Sequence, residues 1–197
     1  MGDIFLFDLD GTITKSELLP LIGARFGLHE ELQYLTFQTM QGAIPFKDSF
    51  KKRVEMLSEI PIGLVQEIIL EAECFPKLLD WIKKNRNRSY IVTGNLDIWV
   101  KPWLEKHGLT GFTSEATILD NKVKLERILD KETVLFDLDS SSRTIMVGDG
   151  ANDSKIMAKS SLAIASQMVH SVPPLLLEHA NFVIGDEVAL CRLLDRL

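Results

Sequence analysis

No run of apolar residues in this chain approaches the roughly 18–20 needed to span a bilayer, and its 197 residues include only two cysteines. Cys74 and Cys191 form no motif with each other or with the four histidines, which disfavours a structural zinc site or a disulfide framework. No basic stretch exceeds two or three residues (Lys51, Lys52 and Arg53; Lys83 and Lys84), and 22 Lys+Arg against 28 Asp+Glu leave a formal net charge of -6. A protein that tracks a nucleic-acid backbone is therefore not expected. The apolar stretch at 4–7 is too short for a secretory leader, lacks basic residues before it and runs straight into Asp8. A reducing cytoplasm, with neither membrane nor nucleic acid as partner, is the expected setting.

What is present is the composition of an ordinary globular domain, 46% hydrophobic and 25% charged, long enough for one α/β core with a small insertion. Short apolar runs alternate with amphipathic stretches, the pattern of a parallel sheet with helical crossovers. Strands are expected at 3–7, 89–93, 111–114, 144–147, 162–165 and 182–184, apolar enough to be buried on both faces. Helices are expected at 76–85, 97–107, 131–138, 154–160, 173–179 and 187–196. The segment between the first two strands carries no strand signal and reads as four helices, 16–26, 30–41, 45–60 and 61–73, punctuated by Gly27, Gly42 and Pro61. A helical subdomain at 14–75 is therefore expected, inserted into a doubly wound parallel α/β core made of 1–13 and 76–197. An Asp120-Asn121 turn between 116–119 and 122–125 reads as a β-hairpin.

Chemistry enters where the strands end. Phe7-Asp8-Leu9-Asp10-Gly11-Thr12 brings two carboxylates out of the first strand, and side chains two apart share a side. In a doubly wound sheet the carboxyl ends of the strands are where ligands bind. A second reading of the same residues is a plain Asp-Gly turn in which Asp10 caps the next segment. Thr93-Gly94-Asn95 ends another strand with donors suited to an anionic oxygen, and Gly148-Asp149-Gly150-Ala151-Asn152-Asp153 ends a third with two more carboxylates. Four aspartates gathered at one sheet edge would repel strongly without a counterion, and hard oxygen ligands with open positions suit Mg²⁺. The quartet Phe136-Asp137-Leu138-Asp139 repeats Phe7–Asp10 but precedes a strand, so it belongs to the opposite edge and is left out of the site.

On the helical segment, Phe46, Phe50, Arg53 and Leu57 fall on one face at helical spacing. A guanidinium on an apolar stripe needs an anionic partner, either a ligand carboxylate held bidentately or an internal acid. For Glu17, the plain alternative is an acid in a first helical turn capped by Ser16. His29, His107, His170 and His179 read as structural or exposed, and Trp81, Trp99 and Trp103 as packing.

The motifs Asp8-Leu9-Asp10-Gly11-Thr12, Thr93-Gly94, a lysine after the hairpin, and Gly148 to Asp153 occur in an order that resembles the haloacid dehalogenase superfamily of phosphohydrolases. The likeness spans nearly the whole chain, and the helical insertion is similar to that superfamily's first type of cap. The resemblance implies Asp8 as nucleophile forming an aspartyl-phosphate, and Asp10 as general acid and then base. It implies Mg²⁺ held by Asp8, Asp149 and the backbone carbonyl of Asp10. Thr93 and Lys131 would bind phosphoryl oxygens, Asp153 would steady Lys131, and Asn152 would line the site. Lys122 and Lys124 are the other candidates for the lysine. Within the superfamily the segment with Glu17, Met40, Phe46 and Arg53 resembles phosphoserine phosphatases, which implies Glu17 on a substrate ammonium and Arg53 on its carboxylate. The expected function is thus Mg²⁺-dependent hydrolysis of a small phosphorylated metabolite, an amino acid phosphate such as L-phosphoserine, in a serine-forming role. Where that family often carries Ser-Gly-Gly-Phe, this chain has Thr93-Gly94-Asn95-Leu96, which puts Asn95 beside the phosphate. Phosphotransfer or another small phosphate ester is the alternative within the enzyme class. A receiver-like phospho-acceptor domain is the alternative outside it, although such a module needs neither the inserted helices nor Asp10.

Overall fold

The structure, a computed structural model, describes residues 2–197. The first strand, β1 (Ile4–Phe7), buries Phe5, Leu6 and Phe7 completely, as a strand covered on both faces must. The chain then leaves the sheet for four helices, α1 (Leu18–Ala24), α2 (His29–Met40), α3 (Phe46–Leu57) and α4 (Ile62–Glu71), and returns through α5 (Pro76–Lys84) to β2 (Ser89–Leu96). After α6 (Asp97–His107) come β3 (Thr110–Leu119) and β4 (Lys122–Arg127), then a 3-10 turn at Lys131–Phe136 and β5 (Thr144–Gly148). A short 3-10 turn at Ala151–Asp153 opens α7 (Ser154–Lys159), and β6 (Leu162–Ser166), α8 (Pro174–Leu177), β7 (Phe182–Ile184) and α9 (Glu187–Leu194) complete the chain.

The seven strands lie in the order β4-β3-β2-β1-β5-β6-β7. Every pairing is parallel except the β3–β4 hairpin. From β1 the chain builds outward to β2 and β3, then crosses back to β5 and builds the other way. The order therefore reverses between β1 and β5, where a doubly wound sheet opens a ligand crevice at its carboxyl edge. Phe7 is in register with both Ile91 and Val147, so the ends of β1, β2 and β5 reach that edge together. The expected α/β doubly wound class is the one found.

Several boundaries differ from expectation for local reasons. The strand expected at 111–114 and the first hairpin arm are one strand, β3, because nothing between them turns the chain. β2 continues past Thr93 to Leu96 with a register shift, its Gly94 carbonyl accepting the Ser114 hydroxyl at 2.7 Å. The helix expected at 131–138 is a 3-10 turn, since it is short and carries β-branched Thr133 and Val134 at its centre. The helix expected at 173–179 is only Pro174–Leu177 before the chain re-enters the sheet. The Asp120-Asn121 turn forms as read, both residues taking the positive φ that a tight hairpin requires (50° and 61°).

Helices α1–α4 share one apolar cluster with the sheet, in which Leu18, Ile22, Leu32, Phe50 and Leu57 join Phe5, Phe7 and Leu9. The chain enters and leaves them along a narrow neck: the Lys15 N–H donates to Glu73 O at 2.8 Å and the Phe75 N–H to Ile13 O at 2.9 Å. In the same cluster Trp81 meets Phe5 edge-on at 4.9 Å, and Trp99 and Trp103 are buried. Among the described residues no helix is long and apolar enough to cross a membrane. Phe5 is wholly enclosed, so Phe5→Ala is expected to lower unfolding stability by about 3–5 kcal/mol, read as a shift in the urea midpoint at unchanged slope.

Candidate active site

The floor of the site is built by the register of the sheet. The Asp8 N–H donates to Val147 O at 2.9 Å, which extends β1 by one residue and fixes the Asp8 carboxylate beside the end of β5. Asp149 comes directly after β5, and the next turn brings Asp153 back toward it, the Gly150 N–H reaching Asp153 Oδ2 at 3.3 Å. Oxygens of Asp8, Asp149 and Asp153 lie within 4.8 Å of one another. Lys131 enters from the start of its 3-10 turn and places Nζ 2.6 Å from both Asp8 Oδ1 and Asp153 Oδ1, with all three side chains buried. Lys122 and Lys124 are exposed on the hairpin and pair with Glu59 and Glu126 instead. The repeated quartet stays outside: Asp137 and Asp139 are exposed, and Asp139 accepts from Ser141.

Gly11 allows the loop after β1 to pass over this floor. It sits at φ +65°, and a Cβ there would lie 2.3 Å from Asp149 Oδ2. Asp10 then turns upward and holds two donors at once: the Leu18 N–H on Oδ1 at 2.8 Å, and the Asn95 side-chain amide on Oδ2. Both sequence readings of Asp10 are therefore realised together, since it faces the cavity and also satisfies the first amide of α1. Helix α1 begins at Leu18, so Glu17 precedes the first turn and Ser16 is not the cap. Thr93 is enclosed behind Asn95, its hydroxyl oxygen accepting the Asn95 N–H at 3.1 Å.

Above the floor lies a cavity of about 40 Å³ lined by Asp8, Asp10, Glu17, Met40, Phe46, Arg53, Gly94, Asn95, Asp149 and Asn152, with Leu19, Thr36, Thr39, Phe50 and Gly150 completing the wall. Thr93, Lys131 and Asp153 stand behind it. Arg53 is 4% exposed, yet it has no carboxylate partner among the described residues. Its Nη1 donates to Thr36 Oγ1 at 2.9 Å, its Nε reaches Ser49 O at 3.4 Å, and Phe46 and Phe50 flank it at 5.9 Å. Phe46 packs so closely on β2 that a Cβ on Gly94 would come within 2.3 Å of the ring.

The electrostatics are set by burial. Burial, with Glu17 nearby, raises the Asp10 carboxyl from its ordinary range to about 7. Asp149 is pushed well up by burial and then by Glu17 and Asp8. Asp8 is also raised by burial, against the pull of Lys131. For Lys131, burial alone would lower the ammonium, but the charges of Asp153 and Asp8 outweigh it and keep Lys131 protonated. Burial lowers Arg53, opposed by Glu17 and Asp10.

The profile of the haloacid dehalogenase-like hydrolases matches residues 5–158 of this chain. The chain belongs to that family. Among its relatives, a phosphoserine phosphatase of Methanocaldococcus jannaschii is 30% identical, the match covering 92% of this chain and 91% of the relative. A phosphoserine phosphatase of Lactococcus lactis is 25% identical with 82% of each covered. The fold superposes on a substrate-bound phosphoserine phosphatase with TM-score 0.83 at 27% identity, covering 100% of this chain and 99% of the other. A phospho-aspartyl intermediate analogue of phosphoserine phosphatase gives TM-score 0.81 at 28% identity with the same coverage.

The floor of this hydrolase fits a divalent cation. Asp149 Oδ2 is buried without a hydrogen-bond partner, and three enclosed carboxylates face a single ammonium. An all-oxygen donor set of this kind suits a hard ion. Sequence reasoning missed His170, which comes after β6 and lies 3.4 Å from Glu17 Oε1, and Thr36, the partner of Arg53. His170 was legible in principle, since the loop after β6 belongs to the same carboxyl edge as Asp149. Asp10 yields a prediction with a definite sign. A carboxyl that ionises near 3.9 in an unfolded chain and about 7 in the fold contributes stability below the lower value that is lost as pH rises through the higher one. Cation-free protein is expected to lose on the order of 2 kcal/mol between pH 5 and pH 8. Asp10→Asn should remove its share and leave a shallower slope, since Asp8 and Asp149 are raised too. Added divalent cation should restore more stability at pH 8 than at pH 5, both read by thermal melts.

Proposed function

We propose that this chain is a Mg²⁺-dependent phosphomonoesterase that dephosphorylates L-phosphoserine through an aspartyl-phosphate on Asp8. The observation that carries the reading is a cavity with opposite ends: crowded carboxylates on the floor, and an unpaired buried guanidinium, Arg53, in the roof. A phosphate ester bearing its own carboxylate is complementary to both, once a cation covers the floor. The relatives named phosphoserine phosphatase support the same substrate. In this reading residues 14–75 form a cap over the core of 1–13 and 76–197, and the neck between Ile13–Lys15 and Glu73–Phe75 is where it would move. The cavity of about 40 Å³ is narrow, and movement at this neck would widen it to admit substrate.

Mg²⁺ would be held by Asp8, Asp149 and the Asp10 carbonyl, with Asp153 adjacent, and would supply charge neutralisation for an anionic nucleophile meeting a phosphate. Lys131 takes one oxygen of Asp8 and holds the carboxylate in place, while Asp153 fixes the lysine. Asp8 attacks phosphorus as the ester P–O bond breaks, and Asp10 gives its proton to the departing serine oxygen. Asp10 then takes a proton from the water that attacks the acyl-phosphate, releasing inorganic phosphate and free Asp8. A carboxyl near 7 is suited to both transfers at neutral pH. Asn95, through its amide on Asp10, keeps that carboxylate aimed into the cavity. Glu17 faces the substrate ammonium, Thr93 and Gly94 its phosphoryl oxygens, and Met40, Phe46 and Asn152 close the walls. A cytoplasmic, serine-forming role belongs to the same reading.

Asp8→Asn is expected to abolish turnover while leaving the thermal melt within a few degrees of the parent. Arg53→Ala is expected to raise KM for phosphoserine by about 10–100-fold, the worth of a hydrogen-bonded charge, with phenyl phosphate little affected. Comparable turnover on phosphoserine, phosphothreonine, phosphohomoserine and sugar phosphates, insensitive to Arg53→Ala, would refute the substrate assignment.

A further inference from the structure

Asp149 also belongs to a second group of ligand atoms, one that the hydrolytic chemistry does not use as a set. Glu17, Asp149 and His170 bring one donor atom each to within 4.8 Å of one another. Asp149 Oδ2 and His170 Nε2 are both buried without a hydrogen-bond partner. His170 Nε2 lies 3.4 Å from Glu17 Oε1 without forming a hydrogen bond to it. Two ligands on a tetrahedral ion with bonds of about 2.0–2.1 Å are separated by about 3.4 Å, so the Glu17–His170 spacing matches that of two ligands sharing one ion. The space among the ligand atoms is kept open by Gly11, whose Cβ would lie 2.3 Å from Asp149 Oδ2 and 3.3 Å from Glu17 Oε1.

We propose that Glu17, Asp149 and His170 form a second cation site, selective for a borderline transition-metal ion such as Zn²⁺. An imidazole nitrogen beside two carboxylates favours Zn²⁺ over Mg²⁺, which prefers oxygen donors alone. Three protein ligands leave the remaining position open toward the cavity, as in zinc sites that keep an exchangeable ligand. Asp149 belongs to both acidic groups, so a bridging carboxylate links the two ion positions. An ion here draws on the Glu17 carboxylate. If Glu17 also meets the substrate ammonium, as the proposed function has it, the ion and the substrate compete for that side chain.

The test is calorimetric titration of Zn²⁺ into the full chain with Mg²⁺ kept saturating throughout. His170→Ala and His170→Gln are expected to weaken Zn²⁺ binding at least tenfold, while His179→Ala, outside the cluster, leaves it unchanged. With Co²⁺ as a probe, the visible bands of a nitrogen-ligated ion should appear in the parent and vanish in both His170 variants. Equal Zn²⁺ affinity in parent and His170 variants overturns the site and leaves Glu17–His170 a plain ion pair. These binding readings do not depend on the substrate, so failure of the phosphoserine assignment leaves them standing. Competition is read separately: Zn²⁺ should raise KM for phosphoserine in the parent and lose that effect in His170→Ala.

Discussion

The site depends on confining negative charge at one edge of a sheet. Asp8, Asp149 and Asp153 have oxygens within 4.8 Å of one another, enclosed, with Asp10 two residues along. Carboxylates left free to move would separate, because each adds to the repulsion felt by the next in a medium that screens poorly. They are held by backbone rather than by mutual attraction: Asp8 by its N–H on Val147 O, Asp149 by the last step of β5, and Asp153 by the turn after it. Among the described residues Lys131 is the cation bonded to this group, paired with two of the three. The deficit that remains makes the floor a receptor for a cation, and through that cation for a phosphate.

Asp10 ties this floor to the helices above it. The carboxylate that faces the cavity also accepts the first amide of α1, so the start of the inserted segment and the candidate acid–base group share one set of hydrogen bonds. Asn95 adds a second donor from the end of β2. A side chain held from two elements has little freedom to swing, which suits a group that must deliver a proton to one oxygen. It also means that movement of α1 relative to β2 changes the environment of Asp10 directly.

The floor was legible in the sequence because strand ends and period-two alternation leave little freedom: an apolar run that ends in Asp-x-Asp must present both acids at the carboxyl edge. Chain order gave the edge of the repeated Asp137 and Asp139 for the same reason. Arg53 was legible from helical spacing alone, since 46, 50, 53 and 57 define one face. What escaped was contact between elements far apart in the chain. That Thr36 would meet Arg53 depends on how α2 crosses α3. That Asn95 would reach Asp10 depends on β2 continuing past Thr93. His170 sits in a loop with no period to read, and its approach to Glu17 is fixed only once α1 and β6 are both in place. The 3-10 turn at Lys131–Phe136 escaped because an apolar spacing does not distinguish a short α-helix from a tighter turn.

The inserted helices do more than cover the crevice. Roof and floor carry opposite imbalances: among the described residues the guanidinium above has no carboxylate in salt-bridge contact, and the carboxylates below outnumber the one ammonium bonded to them. Burying either alone is unfavourable, so the closed arrangement is stabilised most when a molecule with anionic groups at both ends, together with a cation, fills the gap. On the proposed function, closure and recognition would be one event, because a phosphate ester lacking the second charge would leave Arg53 buried without a partner. Phe46 sharpens the coupling: its ring rests on Gly94 with no room for a further carbon, so the position of α3 is read directly by the end of β2 that borders the cavity. Discrimination between substrates would on this basis reside in whether the helices close fully, and the chemistry on Asp8 would proceed only when they do.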